Sequence, residues 1–170
     1  MYLQILNNLT KNWRIEVDTI NILYISLSGN TKSFIQDLTT YLKLKSVDIN
    51  EINIKDYPEE KELNTPFVTF LPTFLKGGNG LDNGYTEILT TRLSSYLQYK
   101  NNYRNCYGII GSGNRNFNKQ YALTAKQYAE RFGFPYITDF ELRGSEGDFE
   151  RIYIDILKYR DQYLLNGGLN

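Results

Sequence analysis

Apolar positions along the chain switch repeatedly between a continuous or two-residue period and a helical one, and the switches predict alternating strands and helices. INILYI (20–25) is the pattern of a buried strand. Phe34, Ile35, Leu38, Tyr41 and Leu42 then recur on one helix face. VDINEINI (47–54) predicts a second strand, with a change of apolar parity between Ile49 and Ile52 that predicts a β-bulge. PFVTFL (66–71) predicts a third, followed by a glycine-rich loop and a helix aligning Ile88, Leu89, Leu93, Tyr96 and Leu97. CYGII (106–110) predicts a fourth strand. GSGNRNF follows, then a helix carrying Tyr121, Ala125, Tyr128, Ala129 and Phe132, which Gly133 can close and Pro135 cannot continue. YITDFEL (136–142) predicts a fifth strand. The last helix begins near Ser145, where Ser145 and Asp148 have capping-box spacing, and it presents Phe149, Ile152, Tyr153, Ile156 and Tyr163.

Strands alternating with helices predict an α/β fold with a five-stranded parallel sheet, right-handed crossovers and helices on both faces. The connection from the second strand to the third, Lys55 to Thr65 with Pro58 inside it, has little room for a crossover helix and is expected to be shortened. The expected domain runs over 20–165, with an N-terminal extension of unknown role (1–19) and a short tail (166–170). In such sheets ligands sit beyond the carboxyl ends of the strands. Three unusual loops fall there: Ser26 to Thr31, Pro72 to Gly84 and Gly111 to Lys119.

Composition narrows the chemistry. Hydrophobic content of 41% and charged content of 22% are those of a folded chain, and 19 basic against 19 acidic residues give no net charge. That balance predicts no nucleic-acid or membrane partner. The start, MYLQILNNLTKNW, lacks a basic n-region and a long apolar core, and the single cysteine, Cys106, allows no internal disulfide. A cytoplasmic location is expected. Histidine is absent, which removes Ser-His-Asp and Cys-His chemistry and every His-bearing zinc site. No carboxylates cluster at ligand spacing, so no metal site and no catalytic side chain is expected. The reactive group is then something bound.

The first loop opens a helix whose first amides lack intrahelical partners. Ser26, Ser28, Asn30 and Thr31 add neutral donors, and Gly29 permits close approach, so a phosphate fits there without any lysine or arginine in the loop. There is no G-K-[ST], and Gly111-Ser112-Gly113 lacks the third glycine of a dinucleotide fingerprint. The strand ends YIS and FLPT lack the acids of a response-regulator receiver. The second loop places four of the chain's 13 glycines (Gly77, Gly78, Gly80, Gly84) within eight residues. The third adds Gly111, Gly113, Asn114, Arg115 and Asn116. Phe74 and Phe117 can stack on a flat ring or anchor their loops. A phosphate end, glycine loops and two aromatics together suggest a mononucleotide with a flat ring, FMN. Lys76, Arg115 and Lys119 against Asp82 leave the two loops positive, which would favour an anionic reduced flavin and offer a surface to oxidant or partner. Cys106 is expected in the core.

GSGNRNFNKQYALTAKQYAERFGFP (111–135) and DFELRG (139–144), with YISLSGNT (24–31) and FLPTFLKGGNGLDNG (70–84), resemble the NrdI family, in its streptococcal-type branch. The resemblance covers roughly residues 20 to 160. It implies a flavodoxin-like fold with strand order 2-1-3-4-5, bound FMN, and partnership with the dimanganese small subunit (NrdF) of class Ib ribonucleotide reductase. In that family reduced FMN reacts with oxygen and supplies an oxidant, superoxide, for assembly of the manganese–tyrosyl radical cofactor, with electrons from a flavin or thiol-system reductant. By position, Ser26, Ser28, Gly29, Asn30 and Thr31 would hold the phosphate and the start of the ribityl chain. Phe74 and Phe117 would flank the isoalloxazine. Thr73, Gly77, Gly78, Asn79 and Gly80 would meet its edge from one side, and Gly111, Ser112, Gly113 and Asn114 from the other. Two other readings stay open: a general electron-transfer flavodoxin or small flavin reductase, and a flavin-free interaction module.

Overall fold

A computed structural model describes residues 18–57, 59–77 and 84–168. Five parallel strands, β1 (Asp18–Tyr24), β2 (Val47–Asn53), β3 (Phe67–Pro72), β4 (Cys106–Gly113) and β5 (Tyr136–Glu141), form one sheet in the order β2-β1-β3-β4-β5. Among the described residues four α-helices cover it: α1 (Asn30–Lys43), α2 (Thr91–Gln98), α3 (Leu123–Phe132) and α4 (Glu146–Leu165).

The sheet separates two apolar cores. On one face α1 contributes Phe34, Ile35, Leu38 and Leu42, and α4 contributes Ile152 and Ile156, packed on Ile22, Val68, Phe70 and Ile110. On the other, Leu93 and Leu97 of α2 and Ala125 and Tyr128 of α3 pack on Leu23, Leu71 and Ile109. Phe34 stacks on Phe140 with centroids 3.9 Å apart and leans on Phe70 at 6.1 Å, which ties α1 to the strands beneath it. Truncating so buried a ring to alanine costs about 3–5 kcal/mol. Cys106 is buried as expected, and burial pushes its thiol up to about 12.

Several sequence expectations change. β2 carries no bulge, because its pairing with β1 runs without a shift from Asp18↔Val47 to Tyr24↔Asn53. The parity change reflects two covered faces: Ile49 packs into the first core and Ile52 into the second. The register shifts lie instead at the starts of β4 and β5. The helix assigned to Ile88 and Leu89 begins only at Thr91. Leu89 has a left-handed φ of 66°, so the chain turns before the helix opens. Tyr121 likewise precedes its helix, since Ala122 at φ 54° ends a 3₁₀ stretch (Arg115–Gln120) and α3 starts at Leu123.

Between β2 and β3 only a 3₁₀ turn (Ile54–Asp56) forms among the described residues, in line with the short connection. Buried Asn102 holds the rest of it. Its Oδ1 accepts from the Leu63 N–H at 2.8 Å, and its Nδ2 donates to the carbonyls of Lys61 at 2.8 Å and Tyr96 at 2.9 Å. One side chain thus satisfies backbone groups that a crossover helix would satisfy itself. α4 opens with the capping box of Ser145 and Asp148, and Arg160 clamps Asp18 at the start of β1 through two contacts of 2.7 and 2.9 Å.

Candidate functional site

A cleft of about 280 Å³ opens at the carboxyl ends of β1, β3 and β4, and all three unusual loops line it. From the first come Ser28, Asn30 and Thr31; from the second Thr73, Phe74 and Leu75; from the third Ser112, Gly113, Asn114 and Phe117. Ile88, Gln120, Tyr121 and Leu142 complete the wall.

The first loop delivers the N-terminus of α1. Gly29 is its cap residue at φ 90°, a left-handed conformation that costs glycine little. A cap without a side chain leaves the opening amides for another acceptor. The Gly29 carbonyl takes the Ser33 N–H at 2.9 Å, while Ser26 is buried and its Oγ takes the Lys32 N–H at 3.1 Å. Ser26 therefore braces the turn from below, and Ser28, Asn30 and Thr31 face the cleft.

The second loop has a rigid base. The Phe74 carbonyl accepts from the Ile88 N–H at 2.9 Å, the Lys76 N–H donates to the Thr86 carbonyl at 2.8 Å, and Leu75 bridges Glu87 antiparallel. The Glu87 carboxylate accepts from the Tyr128 hydroxyl at 2.7 Å and from Thr90 Oγ1 at 2.5 Å. Gln120 holds the Gly84 carbonyl at 3.0 Å. Gly77, at φ 69°, is exposed beyond this base and does not line the cleft. Gly78, Asn79 and Gly80, and Asp82 with them, lie outside the described residues.

In the third loop the Asn114 side chain accepts from the Asn116 N–H at 2.9 Å, and the Phe117 N–H returns to the Asn114 carbonyl at 3.0 Å. This turn puts Phe117 at the mouth, 39% exposed, with half-buried Phe74 also on the wall. Gly111 does not reach the cleft. A Cβ there would lie 2.9 Å from Ala122 Cβ and 3.0 Å from Ala125 Cβ, so its bare backbone admits α3 onto the sheet.

The positive rim expected from the loops is altered by β5. Arg115 lies 3.9 Å from Asp139 and 3.7 Å from Glu141, with its guanidinium 5.3 Å from the centre of the Tyr121 ring. Counting charges within two loops omitted these acids, which the fold brings in from the neighbouring strand. Tyr121 also donates to Asp139 at 2.9 Å, and burial with that carboxylate pushes its phenol up to about 12. Lys76 is exposed at the base of the second loop, and Lys119 stands in the third. Sequence reasoning missed Leu142, Gln120, Ile88 and Tyr121 as wall residues. Only the fourth-strand periodicity, prolonged to Gly113, could have hinted at the reach of this edge.

The donor set suits a ligand with a phosphate and a flat ring. One end of the cleft is a helix N-terminus with hydroxyl and amide side chains; the remainder is walled by Phe74, Leu75, Ile88, Phe117 and Leu142. Among the described residues Thr73 Oγ1 is buried with no hydrogen-bond partner, although its N–H is satisfied by the Ser112 carbonyl at 3.0 Å. A buried hydroxyl without a partner costs about 1–3 kcal/mol, so a ligand acceptor or donor there recovers it. Among the described residues no group of three or more potential metal ligands occurs, and no helix is long and apolar enough to cross a membrane.

The sequence profile of the NrdI flavodoxin-like family matches residues 22–154. The chain belongs to that family. It is 52% identical over 140 residues to an NrdI-like protein of Streptococcus pneumoniae serotype 4, spanning 79% of this chain and 90% of that one. It is 31% identical over 142 residues to the protein NrdI of Mesoplasma florum, spanning 82% and 84%. The fold is also that of oxidised flavodoxin 1 from Bacillus cereus, with a TM-score of 0.51 at 14% identity over 83% of this chain and 98% of that one. The NrdI match spans all three cleft loops and stops short of the last turns of α4.

Proposed function

We propose that this NrdI-family chain binds FMN in the cleft and acts as an accessory flavoprotein of class Ib ribonucleotide reductase, delivering oxidant to the reductase small subunit (NrdF). The observation that carries the reading is the coincidence of the family match with a cleft that joins a helix N-terminus to an apolar slot with an unpartnered hydroxyl. Bound and reduced, the flavin would supply superoxide from oxygen for assembly of the dimanganese–tyrosyl radical cofactor.

The protein's part is binding, orientation and access. Ser28, Asn30, Thr31 and the opening amides of α1, with Gly29 beneath them and Ser26 bracing the turn, would hold the phosphate. Thr73 would offer its hydroxyl farther along, with Ser112, Gly113 and Asn114 opposite and Phe74 and Phe117 against the ring. Gly78, Asn79 and Gly80 would meet the ring edge as the family resemblance implies, whereas Gly77 stands outside the cleft wall. Lys76, Arg115 and Lys119 belong to the surface through which oxidant or partner is met, with Arg115 held back by Glu141 and Asp139. Electrons would come from a flavin or thiol-system reductant in the cytoplasm.

The test is reconstitution. Apo small subunit of the cognate reductase, manganese(II), reduced protein and oxygen should give a tyrosyl radical in the electron paramagnetic resonance spectrum. Equal radical yield from hydrogen peroxide alone, or none with the protein, contradicts the delivery role. The pairing of Arg115 with two acids favours a second reading, an electron-transfer flavodoxin. That reading predicts fast electron exchange with redox partners and no radical assembly.

A further inference from the structure

Arg143, in the turn from β5 to α4, stands behind the helix end that would hold the phosphate. Its Nε donates to Asn30 Oδ1 at 3.2 Å, and Asn30 is the first residue of α1 and part of the cleft wall. The turn that carries Arg143 is tightly specified. The Leu142 N–H reaches the Gly113 carbonyl at 2.9 Å, and the Gly144 N–H reaches Glu141 at 2.7 Å. Gly144 sits at φ 71°, and a Cβ there would lie 2.6 Å from the Phe34 ring. A side chain at 144 is therefore excluded, and the backbone of Arg143 is fixed between α1 and α4.

Two consequences follow from guanidinium chemistry. Arginine carries five donors and no acceptor, so the Asn30 atom that meets it must be the oxygen. The Asn30 NH₂ is thereby left on the other side of the carboxamide as a donor. Arg143 also brings a permanent positive charge to a helix end whose loop (26–31) has none, adding to that of Lys32 in the first helical turn. Of the acids around it, Glu141 meets Arg115 and Asp148 meets Ser145 and Arg151, while Asp37 and Glu146 line the same depression as Arg143 without pairing with it. Among the described residues Arg143 makes no ion pair.

We propose that Arg143 is a positioning and specificity residue for the phosphate, orienting Asn30 as a donor and supplying the charge that makes the cleft prefer a phosphorylated flavin over its nucleoside form. The proposal rests on the FMN reading above. Arg143 lies outside the cleft wall and acts through Asn30 and through its charge.

The experiment measures Kd for FMN and for riboflavin by flavin fluorescence quenching, on the full chain and on Arg143→Gln and Arg143→Lys, at low and high salt. A dianion close to an exposed cation predicts that Arg143→Gln weakens FMN about 3- to 10-fold and leaves riboflavin within about twofold. Lysine, also a donor-only cation, should restore part of the loss. High salt should shrink the charge-dependent share in the wild type, leaving the share due to Asn30 orientation. Equal weakening of both flavins by Arg143→Gln, or unchanged FMN affinity, overturns the role of Arg143 while the FMN reading stands. Wild-type protein that binds neither flavin overturns the FMN reading itself.

Discussion

Thr73→Val separates a residue kept for a ligand from one kept for the fold. The substitution keeps shape closely and removes a buried hydroxyl that has no hydrogen-bond partner among the described residues. Leaving such a group unsatisfied costs about 1–3 kcal/mol, so the apoprotein should gain about 1 kcal/mol on losing it. For a chain of this size that is about 2–4 °C in Tm. The flavin complex should change in the opposite sense. If the hydroxyl bonds the ligand, its loss removes about 1 kcal/mol of binding, a rise in Kd of about fivefold. Thermal unfolding of the apoprotein and a fluorescence titration of the same sample measure both effects. A valine variant whose apoprotein melts lower and whose flavin affinity is unaltered would refute the reasoning, because the hydroxyl would then serve the fold.

Other expectations concern how the site is held. Gly111→Ala places a methyl about 3 Å from Ala122 and Ala125; overpacking of this kind should cost about 1–3 kcal/mol in urea unfolding. Its effect on the cleft should come through displacement of α3, so a stable variant with unmoved α3 would contradict that placement. Gln120→Ala releases the Gly84 carbonyl and should speed hydrogen exchange across residues 84–90, while unchanged exchange would show that Glu87 and the backbone bonds to Phe74 and Lys76 hold the base without it. Burial holds the phenols of Tyr24, Tyr107, Tyr128 and Tyr136 well above their ordinary value, with Glu87 adding to Tyr128 and Asp139 to Tyr136, and Tyr121 is pushed up to about 12. Above about pH 10 the unfolded chain releases these protons and the native protein keeps them, so stability falls as pH rises, by at most about 1.4 kcal/mol per pH unit for each phenol and by less for the partly solvated Tyr121 and Tyr136. Phenolate absorbance and circular dichroism should change together in that range; tyrosines that ionise near pH 10 with the fold intact would contradict their burial.

Much of the fold was legible because its signals are local. The Ser145 and Asp148 spacing marked the start of α4, and Gly133 followed by Pro135 marked the end of α3. The three cleft loops could be placed because parallel strands put their carboxyl ends on one edge. What the sequence misassigned depends on contacts between distant elements. Ile49 and Ile52 mimic a bulge because each faces a different core, and period alone cannot separate a two-faced strand from a bulged one. Ile88 and Leu89 fit a helical spacing but belong to the return arm of a loop zipped to Phe74 and Lys76. Arg115 read as a free cation, because Asp139 and Glu141 are more than twenty residues away in sequence and adjacent only across the β4–β5 edge. Gly111 read as a ligand glycine, and its need for glycine comes from Ala122, which caps α3, and Ala125 within it.

The central claim, FMN seated between the N-terminus of α1 and the aromatic loops, is tested most directly by amide chemical-shift mapping during an FMN titration of the apoprotein. Saturation is expected at one equivalent, with the largest changes at Gly29 to Lys32, Thr73 to Lys76 and Ser112 to Phe117. Riboflavin should perturb the second and third groups while leaving Gly29 to Lys32 far less affected. Changes confined to another surface, such as the depression beside Phe149 and Ser145, or no saturable change with FMN, would contradict it.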